Sequence, residues 1–117
     1  MDWPTSTLAD GRTFDFSGIA PGLEWATVVY AEPGENVRVV QPDGARLDLD
    51  WDREFAPVLR VWLSNSGWSA DGQTNVQYGL EPVTSADDDL CAAVEQGRAR
   101  MLEPGAEIRW WVRLRLA

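Results

Sequence analysis

The segment R-L-D-L-D-W-D at residues 46–52 decides the fold class, because apolar and acidic side chains alternate along it. Leu47, Leu49 and Trp51 share one side of an extended chain, and the intervening aspartates share the other. A period of two is typical of a β-strand that buries one face and exposes the other. The segment therefore predicts a half-buried strand.

The end of the chain, residues 106–116, has the same period and predicts the longest strand. One side is apolar, and the other carries Trp111 among arginines that could pair with the aspartate row of residues 46–52. We expect both apolar sides to face the core. The expected core residues are Leu47, Leu49, Leu59, Val61, Trp110, Val112 and Leu114.

Further strands are predicted where β-branched and aromatic residues cluster between Pro/Gly turns. They cover residues 23–31, 36–41, 58–63 and 75–81, with weaker candidates at 13–16 and 98–102. Many short strands joined by turns predict an all-β fold, an antiparallel β-sandwich. Residues 1–22 are expected to form an N-terminal arm with a possible edge strand, and residues 23–117 the sandwich domain.

The only helix signal lies near residues 87–96. Ser85 could cap such a helix, and the acidic residues 87–89 suit its positive N-terminal end. Gly97 is a natural stop. The single cysteine, Cys91, has no histidine to activate it, so we expect an inert and partly buried thiol.

The composition restricts the possible partners. The 117 residues carry a net charge of −9, which disfavours nucleic acid and anionic membranes. No signal peptide or membrane-spanning run is evident, so a cytoplasmic location is expected. We expect no cofactor, because phosphate-binding, dinucleotide and zinc motifs are absent. We also expect no metal site, because Asp48, Asp50 and Asp52 spread along about 13 Å of a strand.

Three segments carry a resemblance to a known family. They are L-R-V-W-L-S-N-S-G-W (residues 59–68), G-L-E-P-V-T-S-A-D-D-D-L (79–90) and M-L-E-P-G-A-E-I-R-W-W-V-R-L-R-L (101–116). In order and spacing they resemble the C-terminal half of the aldose 1-epimerase (galactose mutarotase) family. The resemblance implies a half-length galactose mutarotase-like sandwich. It also implies that Glu81 matches the family's general base, whereas the family's general acid is a histidine and this chain has none.

A sugar site is expected around Glu81, where the strands 58–63 and 75–81 would be neighbours. The residues proposed to bind sugar there are Asn65, Trp68, Gln77, Trp62 and Glu24. Aromatic rings can stack on sugars, and the polar side chains can bond their hydroxyls. The competing interpretations are that Glu81 is a solvated residue at a strand end and that most tryptophans belong to the core.

Three functions remain open at this point. The chain could be a non-catalytic sugar-binding sandwich that takes a neutral sugar weakly. It could be an aldose 1-epimerase with Glu81 as general base and an acid supplied by another chain. It could serve assembly alone. The expected protein partner is a second copy in a two-fold homodimer, with Trp111 or the arm near the interface, or a chain that supplies the missing N-terminal half.

Overall fold

The computed structural model describes residues 5–7, 11–15, 25–66, 71–72 and 76–117. These residues are mostly β structure, with one short helix. The strands are β1 (Thr5–Thr7), β2 (Thr13–Asp15), β3 (Trp25–Ala31), β4 (Val37–Val40), β5 (Arg46–Trp51), β6 (Val58–Asn65), β7 (Val76–Val83) and β8 (Val112–Leu116), and the helix α1 is Leu90–Glu95. The all-β prediction is confirmed at this level.

The chain divides into two compact units. The first comprises the described residues within Met1–Ala31 and Arg60–Glu81, and the second comprises Glu32–Leu59 and Pro82–Ala117. The predicted sandwich therefore stays a prediction, and each unit is described by itself. The predicted arm, residues 1–22, lies partly outside the described residues and also stays a prediction.

The first unit contains two sheets. β1 and β2 pair antiparallel, with Ser6 opposite Phe14, and β2 overlaps the weak strand signal at residues 13–16. The other sheet has the order β3–β6–β7. The predicted neighbourhood of segments 58–63 and 75–81 is thus confirmed. The central strand β6 buries Val61 and Leu63, as its apolar alternation requires.

The second unit contains a sheet of order β4–β5–β8 with antiparallel pairs. β5 is its central strand and buries Leu49 and Trp51. The register sets Asp48 opposite Arg115 and Asp50 opposite Arg113. The predicted alignment of the aspartate row with the arginine row is confirmed as strand register, although the carboxylates of Asp48 and Asp50 form their ion pairs with Arg38 and Arg53.

Trp51 anchors β5 from the side opposite its aspartates. Its indole Nε1 donates a 2.7 Å hydrogen bond to the carbonyl oxygen of Ala56. The guanidinium of Arg53 lies 4.5 Å from the centre of the Trp51 ring. Arg53 also donates to the carboxylate of Asp50 and to the carbonyl oxygen of Glu35. One tryptophan thereby fixes the strand to the turn that follows it.

The prediction for the end of the chain was partly wrong. The strand begins at Val112, not at residue 106. Leu49, Leu59 and Val61 are buried as expected, and Leu47 is half-buried. Trp110, Val112 and Leu114 are instead exposed by 54%, 43% and 62%. Among the described residues β8 lies at the end of the strand order and has a neighbouring strand on one side only. Trp110 precedes the strand and stacks on Phe55.

The helix is shorter than predicted and is capped by a different residue. Asp89, not Ser85, accepts hydrogen bonds from the backbone N–H groups of Cys91 and Ala92 at 2.8 and 3.1 Å. Gly97 follows the helix with a φ of +67°, as predicted for a stop. Cys91 is exposed, which contradicts its expected burial, because only Ala93 of this helix is buried.

The predicted strand at residues 98–102 does not form. The backbone N–H groups of Arg98 and Ala99 both donate to the carbonyl oxygen of Ala93, at 2.8 and 3.1 Å. These bonds close the C-terminal end of α1 and use the donors that a strand would need.

Candidate functional site

Glu81 lies on β7 and forms an ion pair with the neighbouring strand. The guanidinium Nη1 of Arg60 on β6 donates to Glu81 Oε2 at 2.5 Å. The two side chains are 25% and 44% exposed, so the pair is accessible to water and to solutes. Glu81 is therefore not a lone carboxylate: it is partly solvated, it lies within β7 and not at its end, and a cation on the adjacent strand holds it.

Gly79 explains why Glu81 and Trp62 can lie so close together. A Cβ atom at position 79 would be 3.2 Å from Glu81 Oε1 and 3.4 Å from Trp62 Cβ. The absence of a side chain lets the carboxylate and the indole approach across the glycine. We call Arg60, Trp62, Gly79 and Glu81 the Glu81 cluster.

Strand alternation decides which predicted site residues join this cluster. Gln77 is two residues before Gly79 on β7, so it shares the face of the cluster, and it is half-buried. Asn65 is three residues after Trp62, so it lies on the opposite face of β6, where it is 2% exposed. Trp68 and Glu24 lie outside the described residues. The predicted cleft is thus represented by Glu81, Trp62 and Gln77, without Asn65.

Sequence reasoning missed two members of the cluster, Arg60 and Gly79. The signal was present, because Arg60 and Trp62 have the i,i+2 spacing of one strand face, and so do Gly79 and Glu81. Only the contacts between β6 and β7, the Arg60–Glu81 bond and the approach of Trp62 to Gly79, show that these two pairs meet.

The cluster brings apolar, cationic and anionic groups together on one sheet face. An indole offers an apolar surface, and an adjacent guanidinium–carboxylate pair offers both donors and acceptors for hydroxyl groups. Oε2 of the carboxylate accepts a hydrogen bond from Arg60, which orients the Glu81 side chain. Histidine, the usual general acid near neutral pH, is absent from the chain.

A second concavity lies in the other unit and contains none of the predicted site residues. Its volume is about 400 Å³, and Val83, Ser85, Asp87 and Arg100 are among the residues that line it. The carboxylate of Asp87 is bonded by Arg98, and this bond lowers the pKa of Asp87. Arg98 therefore already neutralises Asp87, one of the two aspartates that line the concavity; the other is Asp88.

The described residues form neither a metal-binding cluster nor a membrane-spanning helix. No cluster of cysteine and acidic side chains there could hold a metal ion. No helix in the same part of the chain is long and apolar enough to cross a bilayer.

Comparison with known proteins gives no match: no family model, no curated protein and no solved structure resembles the chain closely enough to be significant.

Proposed function

We propose that the chain is a carbohydrate-recognising β-protein that binds a neutral sugar weakly at the Glu81 cluster and does not catalyse anomerisation alone. The observation that carries the proposal is the ion pair of Arg60 and Glu81 beside the half-buried Trp62 on one sheet face. The finer fold assignment, a half-length galactose mutarotase-like sandwich, is part of the proposal and rests on the sequence resemblance.

The geometry favours a neutral ligand. Arg60 and Glu81 neutralise each other at 2.5 Å, so the cluster offers little net charge to a phosphorylated sugar. The net charge of −9 also repels anions. A single sheet face surrounds a ligand incompletely and excludes little water, so we expect a dissociation constant on the order of millimolar.

The test is a titration of the ¹⁵N-labelled protein with galactose and glucose, followed by amide and indole NMR signals. We expect shifts at Arg60, Trp62 and Glu81 at tens of millimolar sugar, on the scale of the expected affinity. Trp62→Ala should abolish them, and Trp111→Ala, at a partly exposed tryptophan of the other unit, should leave them intact. Absence of shifts at the cluster in the wild-type protein would refute the proposal.

The catalytic alternative is favoured by one feature, the orientation of Glu81 by Arg60. An epimerase would still need an acid at the ring oxygen, which in this hypothesis another chain supplies. Polarimetry distinguishes the two. We expect mutarotation by the isolated protein to be at most about a hundredfold above background, as for a lone general base. Efficient mutarotation that is lost in Glu81→Gln would favour the enzyme.

The assembly alternative is favoured by the exposure of Trp110 and Trp111. In this hypothesis the chain forms a two-fold homodimer with Trp111 or the N-terminal arm near the interface. Light scattering at micromolar concentration tests it, and a monomer would count against it.

A further inference from the structure

The outer strand of the second sheet has a main-chain edge whose groups can be assigned residue by residue. Arg46 and Ala117 exchange two backbone hydrogen bonds, at 2.8 and 3.1 Å. At the other end, the N–H of Asp52 donates to the carbonyl of Trp111 at 3.0 Å. Hydrogen-bonded pairs alternate with non-bonded pairs along an antiparallel ladder. Between those ends, the β8 residues whose backbone groups bond to β5 are therefore Arg113 and Arg115.

The main-chain groups of the three other residues point away from β5. These residues are Val112, Leu114 and Leu116, which the register sets in non-hydrogen-bonded pairs. Within the described part of the chain no strand pairs with this outer edge. Leu116 is 85% exposed, so both its side chain and its strand edge are accessible. The edge offers a row of backbone donors and acceptors flanked by apolar side chains.

The two arginines of β8 make this edge locally positive. Arg113 and Arg115 lie opposite Asp50 and Asp48. Those carboxylates, however, are bound by other arginines: Arg38 bonds Asp48 at 2.5 Å, and Arg53 bonds Asp50 at 2.9 Å.

The two β8 guanidinium groups are therefore not the direct partners of these carboxylates: the pKa of Asp48 is lowered first by its bond from Arg38 and only secondarily by the charge of Arg115. Arg113 lies over the Trp111 ring at 5.2 Å. Among the described residues, neither Arg113 nor Arg115 has an acidic partner within ion-pair distance.

We propose that the outer edge of β8 binds an extended segment of another protein in which acidic residues alternate with apolar ones. The inner edge of β8 already pairs with such a segment, the L-D-L-D-W of β5. An antiparallel strand added outside would set an apolar residue opposite Leu114 in a hydrogen-bonded pair. Its acids would lie opposite Arg113 and Arg115 in non-hydrogen-bonded pairs, where cross-strand side chains approach most closely.

A second copy of the chain fits this edge poorly. Two β8 strands paired antiparallel about Leu114 would set Arg113 of each copy opposite Arg115 of the other. Like charges directly opposite each other are destabilising, and charged residues on edge strands generally prevent self-pairing. The charge pattern therefore selects an acidic strand over a β8 strand.

The test is an NMR titration of the ¹⁵N-labelled full chain with a short acetylated and amidated peptide that alternates leucine and aspartate. The matched control peptide alternates leucine and lysine. We expect the aspartate peptide to shift the amide signals of Val112, Leu114 and Leu116 and the lysine peptide to leave them unchanged. A third peptide, N-methylated at its leucines, keeps every charge but lacks the N–H groups that would donate to the carbonyl oxygens of β8. It should lose binding if main-chain pairing carries the interaction.

A charge-reversed variant of the protein gives the reciprocal test. Arg113→Glu combined with Arg115→Glu should weaken binding of the aspartate peptide about tenfold, because two favourable cross-strand pairs become unfavourable. Arg109→Glu, which reverses an exposed arginine before β8, should change it less than about threefold, since it lies outside the paired strand.

Four results would overturn the proposal. They are equal binding of the aspartate and lysine peptides, shifts confined to other strands, unchanged binding of the N-methylated peptide, and concentration-dependent shifts of β8 without any peptide. The last would assign the edge to a second copy. The peptide titrations use the wild-type protein, so they remain decisive even if the double variant fails to fold.

Discussion

Replacing Trp51 with phenylalanine should be among the most destabilising conservative changes in the second unit. Trp51 is 1% exposed. Its indole N–H makes a 2.7 Å bond to the carbonyl of Ala56, a residue that is itself buried. Phenylalanine keeps an aromatic ring but removes the indole N–H, so the carbonyl oxygen of Ala56 loses this hydrogen-bond donor.

The expected loss has two parts. An unsatisfied buried carbonyl costs roughly 1–3 kcal/mol. The smaller phenyl ring leaves a void and a weaker surface for the Arg53 guanidinium, which lies 4.5 Å from the Trp51 ring centre. We expect a total decrease in the free energy of unfolding of about 2–4 kcal/mol, a large share of the stability of a small domain.

Urea denaturation followed by far-ultraviolet circular dichroism measures this loss. The matched control is Trp111→Phe, at a tryptophan that is 45% exposed, and it should change the free energy of unfolding by no more than about 0.5 kcal/mol. Equal effects of the two substitutions, or a loss at Trp51 below about 0.5 kcal/mol, would show that the Trp51–Ala56 bond does not stabilise β5 as argued.

Three further measurements test other parts of the structure. Gly97→Ala should cost about 1 kcal/mol of unfolding free energy, because a left-handed residue closes α1 there. Gly34→Ala should be nearly neutral in the same urea assay, because Gly34 is not left-handed and, as at Gly97, an added Cβ meets nothing within 4 Å. The bond from Arg98 lowers the pKa of Asp87, so its contribution is present above about pH 4 and lost as pH falls further; Asp87→Asn should reduce this acid-dependent loss in urea titrations across that range. Gly79→Val should displace the indole NMR signal of Trp62 and weaken sugar binding, because its Cβ would already lie 3.2 Å from Glu81 Oε1.

The strands that the sequence predicts well are those whose pattern is local and strict. Residues 46–52 alternate without a break, and β5 covers Arg46–Trp51 with Leu49 and Trp51 buried. The short polar connection also predicts correctly that β6 and β7 are neighbours. In both cases the decisive information lies within a few consecutive residues or one connection.

The exposure of β8 could not be predicted in the same way. Alternation shows which side chains share a face, but not whether another part of the molecule covers that face. Leu114 and Leu49 face each other across the β5–β8 ladder, yet Leu49 is 4% exposed and Leu114 is 62% exposed. The difference lies in strand order, since β5 is central and β8 is at the edge.

The candidate site shows a related limit. Spacing along each strand groups Arg60 with Trp62 and Gly79 with Glu81, but the register between the strands decides which groups meet. Asn65 was predicted beside Glu81 because Asn65 follows the predicted strand 58–63, Glu81 ends the predicted strand 75–81, and these two strands are neighbours. An odd separation from Trp62 instead places it on the opposite face.

Local pairing, more than net charge, determines what each surface can bind. The net charge of −9 argues against anionic partners for the molecule as a whole. At the outer edge of β8 the argument reverses, because Arg38 and Arg53 bind the aspartates that lie opposite Arg113 and Arg115. At the Glu81 cluster the charges cancel within one pair. An acidic chain can therefore carry both a nearly neutral surface, to which we assign a sugar, and a positive strand edge, to which we assign an acidic strand, and only the individual ion pairs distinguish the two.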